Sequence, residues 1–213
     1  MNFHNYLLKQ AEPILNDIYQ SAFVKGIGFD NLSQQQRDYY VAQDSYYTDE
    51  FSHLFDLTFT KLTTKQQNNQ PQTLDETVAH DALLASPNIL NIPPNILNIP
   101  PDDHNLAYLN HMKTEIMTGD ATNAMLALLP CTESYHLIGK RYLNAIAHNT
   151  YLPWLEYYTS SAYQAFTQWS WKVIDSQIPD WQKLSISDQK HYLNTYLTSY
   201  QFELSFWEHA AQH

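Results

Sequence analysis

Residues 126–135 read LALLPCTESY, an apolar run of helical character that contains Pro130 and the only cysteine of the chain, Cys131. The spacing of the apolar residues around this run predicts a helix from about Ala121 to about His148. Because proline has no backbone N–H to donate, we expect the helix to bend at Pro130. Cys131 and Tyr135 are one turn apart, so they share a face of this helix.

The composition favours helices in the rest of the chain as well. The 213 residues include only four glycines and show no regular strand alternation, whereas Leu, Ala, Gln, Tyr and Trp recur at three- and four-residue spacing. This pattern predicts an all-α fold, and the length predicts a single helical domain over residues 1–213. Sixteen tyrosines are too many for a plain surface, and a buried phenol needs a hydrogen-bond partner. We therefore expect some tyrosines to line an internal polar cavity.

Charge and cysteine usage exclude several classes of function. Eleven basic and 22 acidic residues give a formal net charge of −11, the wrong sign for binding nucleic acid or an anionic membrane. The N-terminal residues MNFHNYLLKQ do not resemble a secretory leader, and no apolar run approaches the roughly 20 residues of a membrane-spanning helix. A cytoplasmic protein without an internal disulfide is the expectation.

Capping residues and helix breakers divide the chain into segments. Ser33 and Gln36 form a predicted capping box before a long helix, and Thr73 and Glu76 form a second one before a short helix that ends near Ala85. We expect a turn around Gly26 and Gly28. The remaining predicted helices are Phe3 to Tyr19, Ser33 to Thr60, Asp102 or Asp103 to Thr118, Leu152 to Thr159, Ala162 to Gln177, and Asp188 to Ala211.

A direct duplication interrupts these helices. The heptapeptide PNILNIP occurs at residues 87–93 and again at 94–100. Prolines at this density block a continuous helix, and two copies are too few for a repeat architecture. The segment is interpreted as an inserted, extended surface loop.

Three helix faces combine residues of chemical interest. Cys131 and Tyr135 share one face, Asp44 and Tyr47 share a second, and a third bears Glu203 with Phe206 and Trp207. The full set of candidate residues on these faces is Cys131, Tyr135, Asp44, Tyr47, Glu203, Phe206 and Trp207. If the faces converge, they enclose a thiol, two carboxylates and several phenols among aromatic rings. Such a pocket suits a flat, polar, heteroaromatic ligand.

The motifs on these faces resemble the TenA family of aminopyrimidine aminohydrolases, also called thiaminase II. The matching stretches are AFVKGIGFDNLS at 22–33, YYVAQDSYY at 39–47, AYLNHM at 107–112, LALLPCTESY at 126–135, YLPWLEYY at 151–158, and FELSFWEHA at 202–210. The resemblance spans nearly the whole chain. It implies a haem oxygenase-like, all-helical bundle without haem, assembled as a homotetramer from two dimers.

The resemblance also implies a role for each matching residue. Cys131 matches the nucleophile, Glu203 the proton donor, and Tyr47 the tyrosine that hydrogen-bonds the nucleophilic sulfur. Asp44 matches the carboxylate that binds the aminopyrimidine ring. Three further tyrosines match those around the substrate, namely Tyr108, Tyr135 and Tyr158.

The implied reaction is hydrolysis of 5-aminomethyl-4-amino-2-methylpyrimidine, and of thiamine, to 4-amino-5-hydroxymethyl-2-methylpyrimidine in thiamine salvage. Thiolate attack makes a poor electrophile reactive, so no cofactor or metal is expected. The sequence does not rank the two substrates. One departure from the family pattern lies between Cys131 and Tyr135, where many relatives carry a Trp or other apolar residue and this chain has Thr132, Glu133 and Ser134. It does not change the predicted pocket residues themselves.

Two other interpretations remain open at this stage. Glu50 with His53, and Glu133 with His136, have the Glu-x-x-His spacing of helical di-iron proteins. Helical projection directs both pairs away from the inferred pocket. The second alternative is a non-catalytic aminopyrimidine-binding protein, which would bind the ring without turning it over.

Overall fold

The computed structural model describes residues 1–71, 77–84 and 99–213, and its regular secondary structure there is helical. The helices are α1 (Phe3–Gln20), α2 (Ala22–Phe29), α3 (Gln34–Phe59), α4 (Thr64–Gln67), α5 (Thr77–Leu84), α6 (Asp103–Thr118), α7 (Ala121–Tyr142), α8 (Leu152–Thr159), α9 (Ser161–Gln177) and α10 (Ile186–Ala210), with a short 3₁₀ helix at Trp181–Lys183. The predicted all-α class is confirmed.

Helix α7 lies at the centre of the bundle. It packs against α6, α8, α9 and α10, and α10 in turn contacts α1, α2, α3 and α6. Helix α3 lies against α5, α6 and α7. The helices that bear Asp44, Cys131 and Glu203 therefore pack against one another, as convergence of the three faces requires.

The start of α3 follows the predicted capping box. The Ser33 hydroxyl accepts from the Gln36 backbone N–H at 3.1 Å, and the Gln36 side chain accepts from the Ser33 backbone N–H at 2.9 Å. These bonds satisfy two of the backbone donors that a helix start leaves free. They fix where α3 begins and so fix the turn on which Asp44 lies.

The predicted turn at Gly26 and Gly28 is wrong, because both glycines lie inside α2. The chain turns instead at Asp30, which has a positive φ of 58°. Glycine is required at position 28 by packing, since a Cβ there would lie 2.1 Å from Cδ1 of Tyr142. Absence of a side chain lets α2 approach the end of α7, and this outweighs the low helix propensity of glycine.

Helix α7 ends at Tyr142, six residues before the predicted end at His148. Residues 143–150 form turns and bends instead. Within them, the Asn149 side chain donates to the carbonyl oxygens of Ile27 and Gly28 at 2.8 and 3.2 Å. Because these bonds attach residues 143–150 to carbonyls at the end of α2, this stretch of chain turns away from the axis of α7.

Two sequence predictions fall on residues outside the described ranges. These are the capping box at Thr73 and Glu76, and most of the duplicated PNILNIP segment. Only Ile99 and Pro100 of the duplication are described, and the Pro100 carbonyl accepts from the Gln43 side chain of α3 at 3.0 Å. No helix within residues 1–71, 77–84 and 99–213 has both the length and the apolar character of a bilayer crossing.

Buried apolar side chains form two clusters. The larger includes Tyr135 and Trp207 and extends through most of the bundle. The smaller includes Cys131, Tyr47 and Tyr108. We name them the large cluster and the small cluster. Because Cys131 and Tyr135 lie one turn apart on α7, the two clusters adjoin along this helix.

Candidate active site

The seven residues to which the family resemblance assigns a role are all buried. Their exposed fractions are 4% or less, and they come from α3, α6, α7, α8 and α10. The residues are Asp44, Tyr47, Tyr108, Cys131, Tyr135, Tyr158 and Glu203. Hydrogen bonds and ring contacts connect them into one group, described below from its two ends.

Asp44 lies at one end and accepts hydrogen bonds on both of its oxygens. The Tyr135 hydroxyl donates to Oδ1 at 3.2 Å, and His80 Nε2 lies 2.6 Å from Oδ2. Each carboxylate oxygen can accept more than one hydrogen bond, so both retain capacity for a ligand. The two partners fix the plane of the carboxylate within the large cluster.

His80 is a site residue that the sequence analysis did not identify. It lies on α5, is 7% exposed, and also has Nδ1 within 3.5 Å of the Ser45 hydroxyl. Because Asp44 is acceptor-only when ionised, the bond between them requires a proton on Nε2. No spacing in the sequence pairs these two residues, which lie 36 positions apart.

Glu203 lies at the other end, with one donor on each oxygen. The Tyr108 hydroxyl donates to Oε1 at 2.9 Å, and the Ser134 hydroxyl donates to Oε2 at 3.0 Å. Ser134 belongs to the segment from Thr132 to Ser134, between Cys131 and Tyr135 on α7. Its side chain is fully buried, so this bond forms away from solvent.

Tyr47 connects Glu203 to the thiol. Burial raises the pKa of Tyr47 well above 10.0, and neighbouring Cys131, Tyr108 and Glu203 raise it further, as does a side-chain hydrogen bond to Cys131. A second side-chain hydrogen bond joins Tyr47 to Tyr108. Cys131, Tyr47, Tyr108, Glu203 and Ser134 are therefore connected in this order, and the Tyr47 hydroxyl also lies 3.9 Å from Sδ of Met112.

The phenols of the site keep their protons. Burial is the largest cause that raises the pKa of Tyr108 and of Tyr135 well above 10.0, followed by the nearby carboxylates Glu203 and Asp44 respectively. A phenol that stays protonated remains a donor. Tyr108 and Tyr135 therefore donate to Glu203 and Asp44, respectively.

Aromatic rings lie beside both ends of this group. Tyr135 lies with its ring centroid 4.8 Å from that of Tyr158 and 4.9 Å from that of Trp207. The Phe206 ring lies 6.3 Å from the Tyr47 ring and 5.9 Å from Trp207. These side chains place flat apolar surface beside the polar groups, an environment that suits a heteroaromatic ligand.

The two Glu-x-x-His pairs take no part in this group. Glu50 and His53 are exposed on α3. Glu133 is buried on another side of α7, where Trp171 Nε1 donates to its Oε1 at 3.0 Å. Tyr196 and Tyr200 donate to its Oε2 at 2.5 and 2.8 Å. Within the described part of the chain, no three His, Cys, Asp or Glu residues are grouped so as to hold a metal ion.

The arrangement contains the elements of covalent catalysis on a flat ring. A thiol can attack, a carboxyl connected to it by hydrogen bonds can exchange a proton, and a second carboxylate can fix the ring. The thiol and Glu203 are connected through Tyr47 and Tyr108, whereas Asp44 is reached through Tyr135. Cys131 and Asp44 therefore have different hydrogen-bond partners.

Comparison with known proteins shows the family and the fold of the chain. The sequence model of the TENA/THI-4/PQQC family matches residues 8–213. An aminopyrimidine aminohydrolase from Halalkalibacterium halodurans is 27% identical, with 99% of this chain and 96% of that protein covered. Another from Helicobacter pylori is 26% identical over the full length of both chains. The solved structure of a TenA homologue from P. horikoshii OT3 has the same fold, with a TM-score of 0.80, 22% identity, and 100% and 99% of the two chains covered.

Proposed function

The chain belongs to the TENA/THI-4/PQQC family, and on this basis we propose that it is an aminopyrimidine aminohydrolase of the thiaminase II type. It hydrolyses the bond between the aminomethyl carbon and its nitrogen in 5-aminomethyl-4-amino-2-methylpyrimidine. Water and substrate give the hydroxymethylpyrimidine and ammonia. The observation that most supports this proposal is the buried hydrogen-bonded connection from Cys131 through Tyr47 and Tyr108 to Glu203.

Asp44 recognises the ring in this proposal. A carboxylate that binds an amino group and the neighbouring ring nitrogen needs one proton between carboxylate and ring nitrogen, because both are acceptors. With that proton on the ring, the pyrimidine becomes poorer in electrons and more open to attack. Tyr135 and His80 support Asp44 in this role by donating to its two oxygens.

Cys131 is the proposed nucleophile. Its thiolate adds to the ring carbon beside the one that bears the aminomethyl arm, and a ring double bond opens to accept the electron pair. The returning electrons expel the amine, which takes a proton from Glu203, and leave an exocyclic methylene. Water then adds to the methylene and gives its proton to Glu203, after which the sulfur leaves and the aromatic ring reforms.

The connection between Cys131 and Glu203 also explains how both groups reach the protonation states in which the reaction starts. A thiol with an ordinary pKa of about 8.5 is mostly protonated at neutral pH. Cys131 can pass its proton to Tyr47, Tyr47 its own to Tyr108, and Tyr108 its own to Oε1 of Glu203. This exchange converts a thiol and a carboxylate into a thiolate and a carboxylic acid, which are the nucleophile and the proton donor that the reaction needs.

Product formation from defined substrates tests the proposal. We expect the purified protein to convert the aminomethylpyrimidine and thiamine to the hydroxymethylpyrimidine, which chromatography separates from both. Cys131→Ser and Glu203→Gln should each lower kcat by about 10³-fold or more. Glu208→Gln is the matched control for Glu203→Gln, since Glu208 is exposed on the same helix, and it should retain full activity.

Two results contradict the proposed function. One is saturable binding of both compounds by the wild-type protein without any product, which would indicate a binding protein. The other is full activity of Cys131→Ser, which would exclude a covalent intermediate on this sulfur.

The family resemblance supports three further proposals about the setting of the reaction. The product serves thiamine salvage, the protein acts in the cytoplasm, and it assembles as a homotetramer from two dimers. Sedimentation equilibrium measures the assembly. Growth of a thiamine auxotroph on the aminomethylpyrimidine, with and without this gene, tests the salvage role.

A further inference from the structure

Ser134 occupies a position between the nucleophile and the proton donor. It lies three residues after Cys131 on α7, and its side chain has no exposed surface. Its hydroxyl oxygen is 3.0 Å from Oε2 of Glu203 and 3.3 Å from the carbonyl oxygen of Cys131. It therefore contacts the turn that bears the thiol as well as the carboxyl on α10.

The single hydroxyl proton of Ser134 has two possible acceptors. The Glu203 oxygen is the nearer one, and when ionised it is also the stronger acceptor, because charge-assisted hydrogen bonds are about twice as strong as neutral ones. Ser134 therefore donates its hydrogen bond to Oε2 of Glu203. The serine oxygen lies near the Cys131 carbonyl because both residues belong to the same turn of α7.

Tyr108 occupies the other oxygen of the same carboxyl. Its hydroxyl donates to Oε1 and is joined to Tyr47 and, through Tyr47, to Cys131. Ser134 has no such connection to the thiol through its side chain among the described contacts. Among the described contacts, the two oxygens of Glu203 are thus inequivalent, since Oε1 is the one connected to Cys131 through Tyr108 and Tyr47.

We propose that Ser134 is a positioning residue for Glu203, which binds Oε2, fixes the carboxyl plane against the turn of α7 that bears Cys131, and leaves Oε1 as the oxygen that takes up and releases the proton. This inference rests on the proposed function. It assigns a role to one residue of the segment that departs from the family pattern. Ser134 acts through Glu203 and does not react itself.

The neighbours of Glu203 predict the direction of the pH effect. Tyr47, Tyr108 and Tyr135, from α3, α6 and α7, lie within electrostatic reach of Glu203, and the titratable thiol of Cys131 is joined to it through Tyr47 and Tyr108. These phenols stay neutral, so they do not compete with a change at Glu203. Removing the Ser134 donor destabilises the ionised carboxylate relative to the acid. The alkaline limit of activity, where the acid loses its proton, should therefore move to higher pH.

Ser134→Ala tests the inference through kcat, KM and the pH profile. We expect kcat to fall about tenfold, KM to stay within about threefold, and the alkaline limb to move up by about one pH unit. Ser134→Cys keeps the side-chain size but donates more weakly, so it should move the limb in the same direction by less. Ser170→Ala is the control, because Ser170 is also a buried helical serine but donates only to the Phe166 carbonyl.

An infrared titration gives a readout that does not depend on turnover. The carboxyl band of Glu203 is the one that Glu203→Gln removes, and in Ser134→Ala its protonated form should persist to a pH about one unit higher than in the wild type. The inference is overturned if the alkaline limb and this band are unmoved in both Ser134 variants, whatever happens to kcat. A wild-type protein without activity, whose band still moves in Ser134→Ala, contradicts the proposed function and leaves the hydrogen bond established.

Discussion

Glu133 allows a quantitative prediction about stability that does not depend on the reaction. Burial raises the pKa of its carboxyl from 4.5 to about 7, although hydrogen bonds from Tyr196, Tyr200 and Trp171 act in the opposite direction. Desolvation of the charge is thus larger than the effect of three donors. The perturbation is Glu133→Gln, which keeps the shape and removes the ionisation.

The sign of the effect follows from proton linkage. A carboxyl whose pKa is higher in the folded protein than in the unfolded chain stabilises the fold fully below the unfolded pKa of 4.5. That contribution is lost as the pH rises through about 7. At 1.36 kcal/mol per pH unit, the loss amounts to about 3 kcal/mol, and about 2.5 kcal/mol of it falls between about pH 5 and pH 8. The Glu133→Gln variant has no ionisable group at this position, so its stability does not change with pH for this reason.

Urea unfolding followed by circular dichroism measures the effect. The free energy of unfolding is compared between wild type and Glu133→Gln at about pH 5 and pH 8, at one protomer concentration, because assembly shifts apparent stability. We expect the wild type to lose about 2 to 3 kcal/mol relative to the variant over this interval. Glu156→Gln, at an exposed position on α8, is the control and should show no such difference. Equal pH dependence of wild type and Glu133→Gln would refute the argument that desolvation dominates at this site.

Three further substitutions test the site and the packing. Asp44→Asn should raise KM about 10- to 100-fold, because hydrogen bonds to a charged group are worth about 1.5 to 3 kcal/mol, and an unchanged KM in initial-rate measurements would remove Asp44 from ring recognition. His80→Ala should raise KM about tenfold by freeing Oδ2 of Asp44, whereas His53→Ala, at an exposed position on α3, should not; equal KM values in both variants would contradict the support role. Gly28→Ala should lower the free energy of unfolding by about 1 to 3 kcal/mol, since the new Cβ meets the Tyr142 ring. A melting temperature equal to that of the wild type would contradict this, because it would show that the contact relaxes without cost.

Helix positions were predictable where a local signal defined them. The capping box at Ser33 and the bounds of α8, Leu152–Thr159, agree with the sequence prediction because caps, prolines and apolar spacing act within a few residues. The turn predicted at Gly26 and Gly28 was wrong because both glycines lie inside α2, and Gly28 is packed against Tyr142, more than 100 positions away. Propensity describes the local cost of glycine and contains no information about such a contact.

The site was predictable in part, again where spacing within a helix gave a signal. The faces that bear Asp44, Cys131 and Glu203 could be identified by helical spacing, and the family resemblance joined them, while the catalytic roles remain predictions. His80 and Ser134 were not identified, because each is defined by a hydrogen bond to a residue on another helix. Their side chains are common on helix surfaces, so the residue type alone gave no signal.

In the proposed function, the position of the site between the large and small clusters would separate substrate choice from bond cleavage. Tyr135, which supports Asp44, belongs to the large cluster, whereas Cys131, Tyr47 and Tyr108 belong to the small one. Substitutions that reshape the large-cluster side can therefore change which heterocycle is accepted while the sulfur and its proton route stay intact. A library restricted to α5 and α8 is the corresponding starting point for redirecting this protein to other aromatic amines.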